Sequence, residues 1–95
     1  MLKSSQRSAL KAMANKIEPV IYIGKAGITE NVIKLADEAL EARELVKGTV
    51  QQNSPVSAKE ALEILARGTD AYEVSSTGRK FVMYRRRKKD PEIMI

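Results

Sequence analysis

Apolar residues recur along this chain with two different periods, and their alternation restricts it to one class of fold. From Ser4 to Asn15 the spacing is helical, with Gln6, Leu10, Met13 and Ile17 on one side. Ser4 or Ser5 is placed to cap this helix, and Pro19 stops any continuation. Val20-Ile21-Tyr22-Ile23 is a short run of β-branched and aromatic residues and reads as a buried strand. Thr29 then caps a second helix reaching about Arg43. Ile28 and Ile33 stand as its hydrophobic staple, and Val32, Leu35, Ala36, Ala39 and Leu40 form its stripe. Leu45 to Gln51 alternates, with Val46 and Val50 opposite Lys47, Thr49 and Gln51. Gly48 within that strand marks a bulge or a close backbone approach. After Asn53-Ser54-Pro55, Ser57 and Glu60 form a capping box for a third helix with the stripe Ala58, Ala61, Leu62 and Leu65. Gly68 falls where a left-handed cap would end it. Tyr72–Ser75 and Lys80–Arg85 then read as two strands joined across Ser76-Thr77-Gly78.

The order α-β-α-β-α-β-β predicts an α+β fold, a two-layer α/β sandwich whose mixed four-stranded sheet is covered mainly on one face. The 95 residues allow one modest core. We expect a single domain over residues 1–87, followed by a flexible tail over 88–95, where no periodicity remains. The sequence holds neither cysteine nor histidine, which excludes disulfides, thiolate nucleophiles, imidazole bases and the usual zinc ligands. No apolar run approaches a membrane span and no signal-peptide core follows Met1. The expectation is a cytoplasmic, soluble, monomeric module with no enzyme activity, cofactor, metal or small-molecule substrate.

The net charge of +5 is strongly segregated, with +4 over residues 1–27, −4 over 28–78 and +5 over 79–95. A basic surface assembled from both ends around an acidic middle points to a polyanion. Three features could meet it. The turn Gly24-Lys25-Ala26-Gly27 lies between a buried strand and a capped helix, where small residues and backbone amides admit a phosphate oxygen. An ordinary tight turn would need the same glycines. Lys3, Arg7 and Lys11 recur every four residues and form a ridge on the first helix. Arg85, Arg86 and Arg87, continued by Lys88 and Lys89, either clasp phosphates or form a solvated basic tail. The turn lacks the G-K-[ST] of a Walker loop and the third glycine of a dinucleotide fingerprint. Tyr22 and Phe81 are expected in the core, with Tyr84 a weaker contact candidate. Asp37, Glu38, Glu41 and Glu44 read as a solvated helix face, with Lys34 pairing to Glu38, rather than as metal ligands.

The stretch from Ile21 to Val32 closely resembles the signature loop of the YhbY/CRM family of RNA-binding proteins. Arg7–Ala14, Ala39–Lys47 and Phe81–Arg85 resemble the same family in the same order, covering the chain to about Arg87. A free-standing copy of this length is similar to the bacterial, ribosome-associated branch. The resemblance implies a fold like the C-terminal domain of translation initiation factor three, with strand order 1-2-4-3 and strand 4 reversed. It further implies that Gly24, Lys25, Ala26 and Gly27 contact RNA, assisted by basic residues of the first helix. The partner so implied is ribosomal RNA of the large-subunit precursor, with a role in assembly. The alternatives are a general translation or small-RNA-binding factor, a small phosphate- or nucleotide-handling enzyme using the same turn, and a protein-interaction adaptor using the acidic second helix.

Overall fold

A computed structural model of the chain describes residues 2–93; of the expected tail, residues 94 and 95 lie outside them. The elements are α1 (Ser4–Ala14), β1 (Ile21–Ile23), α2 (Glu30–Arg43), β2 (Leu45–Val50), α3 (Ala58–Thr69), β3 (Tyr72–Thr77) and β4 (Lys80–Tyr84). They form one sheet of order β1-β2-β4-β3, with β1 parallel to β2 and β4 antiparallel to both neighbours. The element order is that read from the sequence, and the strand order and directions are those the family resemblance implies.

Local chemistry accounts for most boundaries. Thr29 Oγ1 accepts from the Val32 amide at 3.3 Å, and Ser57 and Glu60 exchange reciprocal bonds at 3.0 and 3.1 Å. Three expectations shift. α1 is capped from Lys3, whose amide donates to Gln6 Oε1 at 2.8 Å, and not from Ser4 or Ser5. α3 runs through Gly68 and ends at Asp70, which takes the left-handed conformation at φ 58°. Gly68 serves packing instead, since a Cβ there would stand 3.3 Å from Ile33. The final hairpin turns on Gly78 and Arg79, with Gly78 at φ +60°, which suits the first position of a type II′ turn.

Burial separates the two faces of the sheet. Under α2 and α3, Ile21, Ile23, Val46, Val50, Phe81 and Met83 pack against Ala36, Leu40, Leu62 and Leu65. On the opposite face, Leu10 and Ala14 of α1 pack on Leu45, Val74, Val82 and Tyr84. The sheet and the α2–α3 layer form the expected sandwich, while α1 covers part of the other face because β4 buries both of its faces. Gly48 is a close approach and not a bulge. Its strand partner is Phe81, whose ring fills the place of the missing side chain.

Leu35 and Met13 were assigned to apolar stripes but are exposed, because each lies at the margin of its helix's buried arc. The aromatics exchange roles. Tyr22 is 58% exposed, since the neighbours Ile21 and Ile23 take the core-facing positions of a three-residue strand. Tyr84 is buried and stacks on Tyr72 at 6.4 Å between centroids. Burial raises the Tyr84 phenol above its usual pKa, with the Glu44 carboxylate adding to the effect.

Candidate nucleic-acid interface

The turn after β1 is closed by the Gly27 amide donating to Gly24 O at 3.0 Å. Gly27 is buried at φ +70°, and a Cβ there would lie 2.9 Å from Pro55 Cγ. Gly24 differs, since its missing Cβ faces only the carbonyl oxygen of the Gln51 side chain, at 3.0 Å. With the Gly27 amide committed to the turn and the Val32 amide to Thr29, the amides of Lys25 and Ala26 remain at the tip without an acceptor among the described residues. Glu30 occupies the first turn of α2, so its carboxylate already meets the positive helix end. An incoming phosphate is therefore favoured at the exposed tip, beside Lys25, rather than on the helix axis.

The basic ridge lies against the edge of the sheet. Arg7 reaches Glu73 O on β3 at 3.4 Å, and Lys11 lines a cleft beside Lys47 and Lys80. Lys3, Lys11 and Lys25 form no ion pair among the described residues. The turn belongs to the end of the sheet where β1 and β2 finish and β4 begins, as the pairings Ile23–Val50 and Thr49–Lys80 fix.

The C-terminal arginines are placed otherwise. Arg85 donates to Asp37 Oδ1 at 2.6 Å and to Thr69 O at 2.8 Å, tying the end of α3 to α2. Arg87 donates to Ala42 O at 2.9 Å and to Glu92 at 3.1 Å. Both cations thus cap helix C-termini, where the dipole favours them. Arg86 alone of the three is exposed without a side-chain partner among the described residues. The acidic helix is correspondingly not a uniform solvated face. Asp37 and Glu41 turn to Arg85, and no Lys34–Glu38 ion pair forms among the described residues.

Glu44 is fully buried and caps α2 at φ 65°. Its carboxylate accepts from the amides of Arg87, Glu92 and Ile93 at 3.2, 2.6 and 3.0 Å. Burial opposes the charge, yet the three amides and the Arg87 guanidinium outweigh it and hold the carboxyl below its usual 4.5. The stretch expected to run free as a tail is thus docked as far as Ile93. A depressed folded-state pKa gives stability that is full above the ordinary glutamate value and lost as pH falls through the lower one. Glu44→Gln should therefore cost about 1–3 kcal/mol at neutral pH. The deficit should shrink towards pH 3 in paired thermal melts. A constant deficit across that range would assign the cost to packing alone.

The sequence alone did not single out Lys47, Lys80, Tyr22 or Glu44. Lys47 and Lys80 were legible only as strand residues and Tyr22 was expected in the core, and the convergence of the three depends on which strands pair. Glu44 looked like one more acid on a charged helix.

Three comparisons set the chain beside known proteins. Residues 2–85 match a family model described as the CRS1 / YhbY (CRM) domain. The chain is 36% identical over 95 residues to the "Probable RNA-binding protein YqeI" of Bacillus subtilis, covering 100% of this chain and 99% of that one. It is 31% identical over 84 residues to an "RNA-binding protein" of Haemophilus influenzae, covering 88% and 85%. The solution structure of the hypothetical protein SAV1595 from Staphylococcus aureus superposes with a TM-score of 0.83 at 41% identity, covering 100% and 99%.

Proposed function

The chain belongs to the CRS1 / YhbY (CRM) domain family, and from that premise we propose that it binds RNA, associates with precursors of the large ribosomal subunit and aids their assembly. The observation that carries the reading is the turn Gly24–Gly27, which offers Lys25 and two amides without an acceptor among the described residues at the surface. Phosphate contacts of this kind fix position, and the ridge of Arg7 and Lys11 orients the RNA. Structured RNA is recognised largely by shape and backbone, which suits a surface rich in cations and poor in aromatic side chains. The protein acts as a monomer in the cytoplasm, without a cofactor and without chemistry of its own. A phosphate-handling enzyme using the same turn would need a general base beside it. A Cβ at Gly24 would meet only Gln51 and one at Gly27 only Pro55, and neither of these side chains is a base.

Crosslinking in cells, followed by sequencing of the attached RNA, tests the assignment. Enrichment of large-subunit precursor RNA over small-subunit and messenger RNA is expected. Equal recovery of all classes would favour a general translation or small-RNA-binding role.

A further inference from the structure

We propose that the sheet face beside α1 carries a second RNA subsite, where Lys11, Lys47 and Lys80 hold phosphate and Tyr22 takes a base of the same strand. This rests on the RNA-binding reading above and extends it beyond the turn and the ridge, with which it shares Lys11, to Lys47, Lys80 and Tyr22. Four residues stand in register across the face: Tyr22 pairs with Thr49, Thr49 with Lys80, and Lys80 with Thr77. Ile21 and Ile23 point into the core under α2 and α3, so Tyr22 presents its ring on the opposite side. Its hydroxyl donates to Pro19 O at 3.1 Å.

At the other end of the row, Lys80 and Thr77 join Lys11, Asn15, Lys47 and Ser75 around a cleft of about 250 Å³. Lys47 Nζ donates to Ala14 O at 3.2 Å, which holds one ammonium group at the cleft wall. No carboxylate among the described residues lines this cleft, whereas a second cleft that shares Lys47 carries Glu18 and Glu92, and a third carries Asp37, Glu41 and Asp70. Lys11 and Lys80 have no ion-pair partner among the described residues. Three ammonium groups around one cleft repel one another, and a phosphate relieves that repulsion. The hydroxyls of Ser75 and Thr77 can donate to the same oxygens. Two strand spacings, about 10 Å, separate β1 from β4. A short single-stranded segment leaving the turn can therefore pass over Tyr22 and reach Lys80. Aromatic stacking beside a cationic groove is the combination that single strands use.

The test is fluorescence anisotropy with a labelled single-stranded oligoadenylate of about 12 nucleotides, titrated across salt. Wild type, Lys11→Gln/Lys80→Gln, Tyr22→Ser and Gly24→Asp are compared, with circular dichroism confirming the fold. The lysine variant should bind about tenfold more weakly, with a salt slope shallower by roughly 1.4, the value for two phosphate contacts on a single strand. Tyr22→Ser should weaken binding about fivefold or more with an unchanged slope. Wild-type affinity in Tyr22→Ser, or a wild-type slope in the lysine variant, overturns the subsite while Gly24→Asp still reports on the turn. Failure of the wild-type protein to bind oligoadenylate overturns the subsite alone, because the RNA-binding reading is decided separately by the crosslinking experiment on structured precursor RNA.

Discussion

Gly24→Asp should weaken RNA binding by about a hundredfold, on the order of 3 kcal/mol, in a protein that melts like wild type. The substitution sets a carboxylate at the base of a turn whose tip amides and Lys25 would otherwise receive a phosphate. Placing like charges together in a desolvated contact costs several kcal/mol. The fold should survive because the new Cβ meets only the flexible end of Gln51, at 3.0 Å. Gly24→Ala separates charge from bulk and should bind nearly as wild type. Gly27 is the wrong place for the same experiment. At φ +70° and 2.9 Å from Pro55, any side chain there strains the backbone and presses on the ring. Equal affinities of Gly24→Asp and Gly24→Ala, measured by anisotropy, would remove the turn from the RNA contact.

Gly48→Val should be the most damaging single change in the sheet. A Cβ at Gly48 would stand 2.2 Å from Phe81 Cζ and 2.7 Å from both Cε atoms. Phe81 is fully buried under α2 and α3 and has no room to retreat. Overpacking a dense core commonly costs 1–3 kcal/mol, and an overlap this deep should cost about 3 kcal/mol or more. In a domain of this size that lowers Tm by about 15 °C. Phe81→Leu should recover part of the loss in the Gly48→Val background, because each change answers the other across the strand pair. Strictly additive costs in a double-mutant cycle would mean that the ring relaxes elsewhere.

These two glycines also show how far the sequence could be read. Gly48, in the middle of an alternating strand, announced a bulge or a close approach, and only the pairing with β4 shows that it is an approach and that Phe81 makes it. Thr29, Ser57 and Glu60 were legible because a cap and its helix are neighbours in the chain. Arg85 was not legible, because its partner Asp37 lies 48 residues away and nothing local distinguishes a capping arginine from a free one. Glu44 hid for the same reason, since the three amides it holds come from the chain beyond β4. Tyr22 was misassigned because an apolar run of four suggests burial on both faces, and α1 leaves part of this face open. The basic segments that segregate so clearly in sequence therefore divide in space. The N-terminal helix and the turn keep their charge at the surface, while Arg85 and Arg87 are committed to holding the fold together.

The most direct measurement is nitrogen-15 chemical-shift mapping of the protein as a large-subunit precursor RNA fragment is added. The amides of Lys25 and Ala26 should move first and furthest, followed by those around Lys11 and Lys80, with the outer faces of α2 and α3 still. Shifts confined to the outer helical surface around Leu35 and Ile64, with the turn amides unmoved, would contradict RNA binding through the turn.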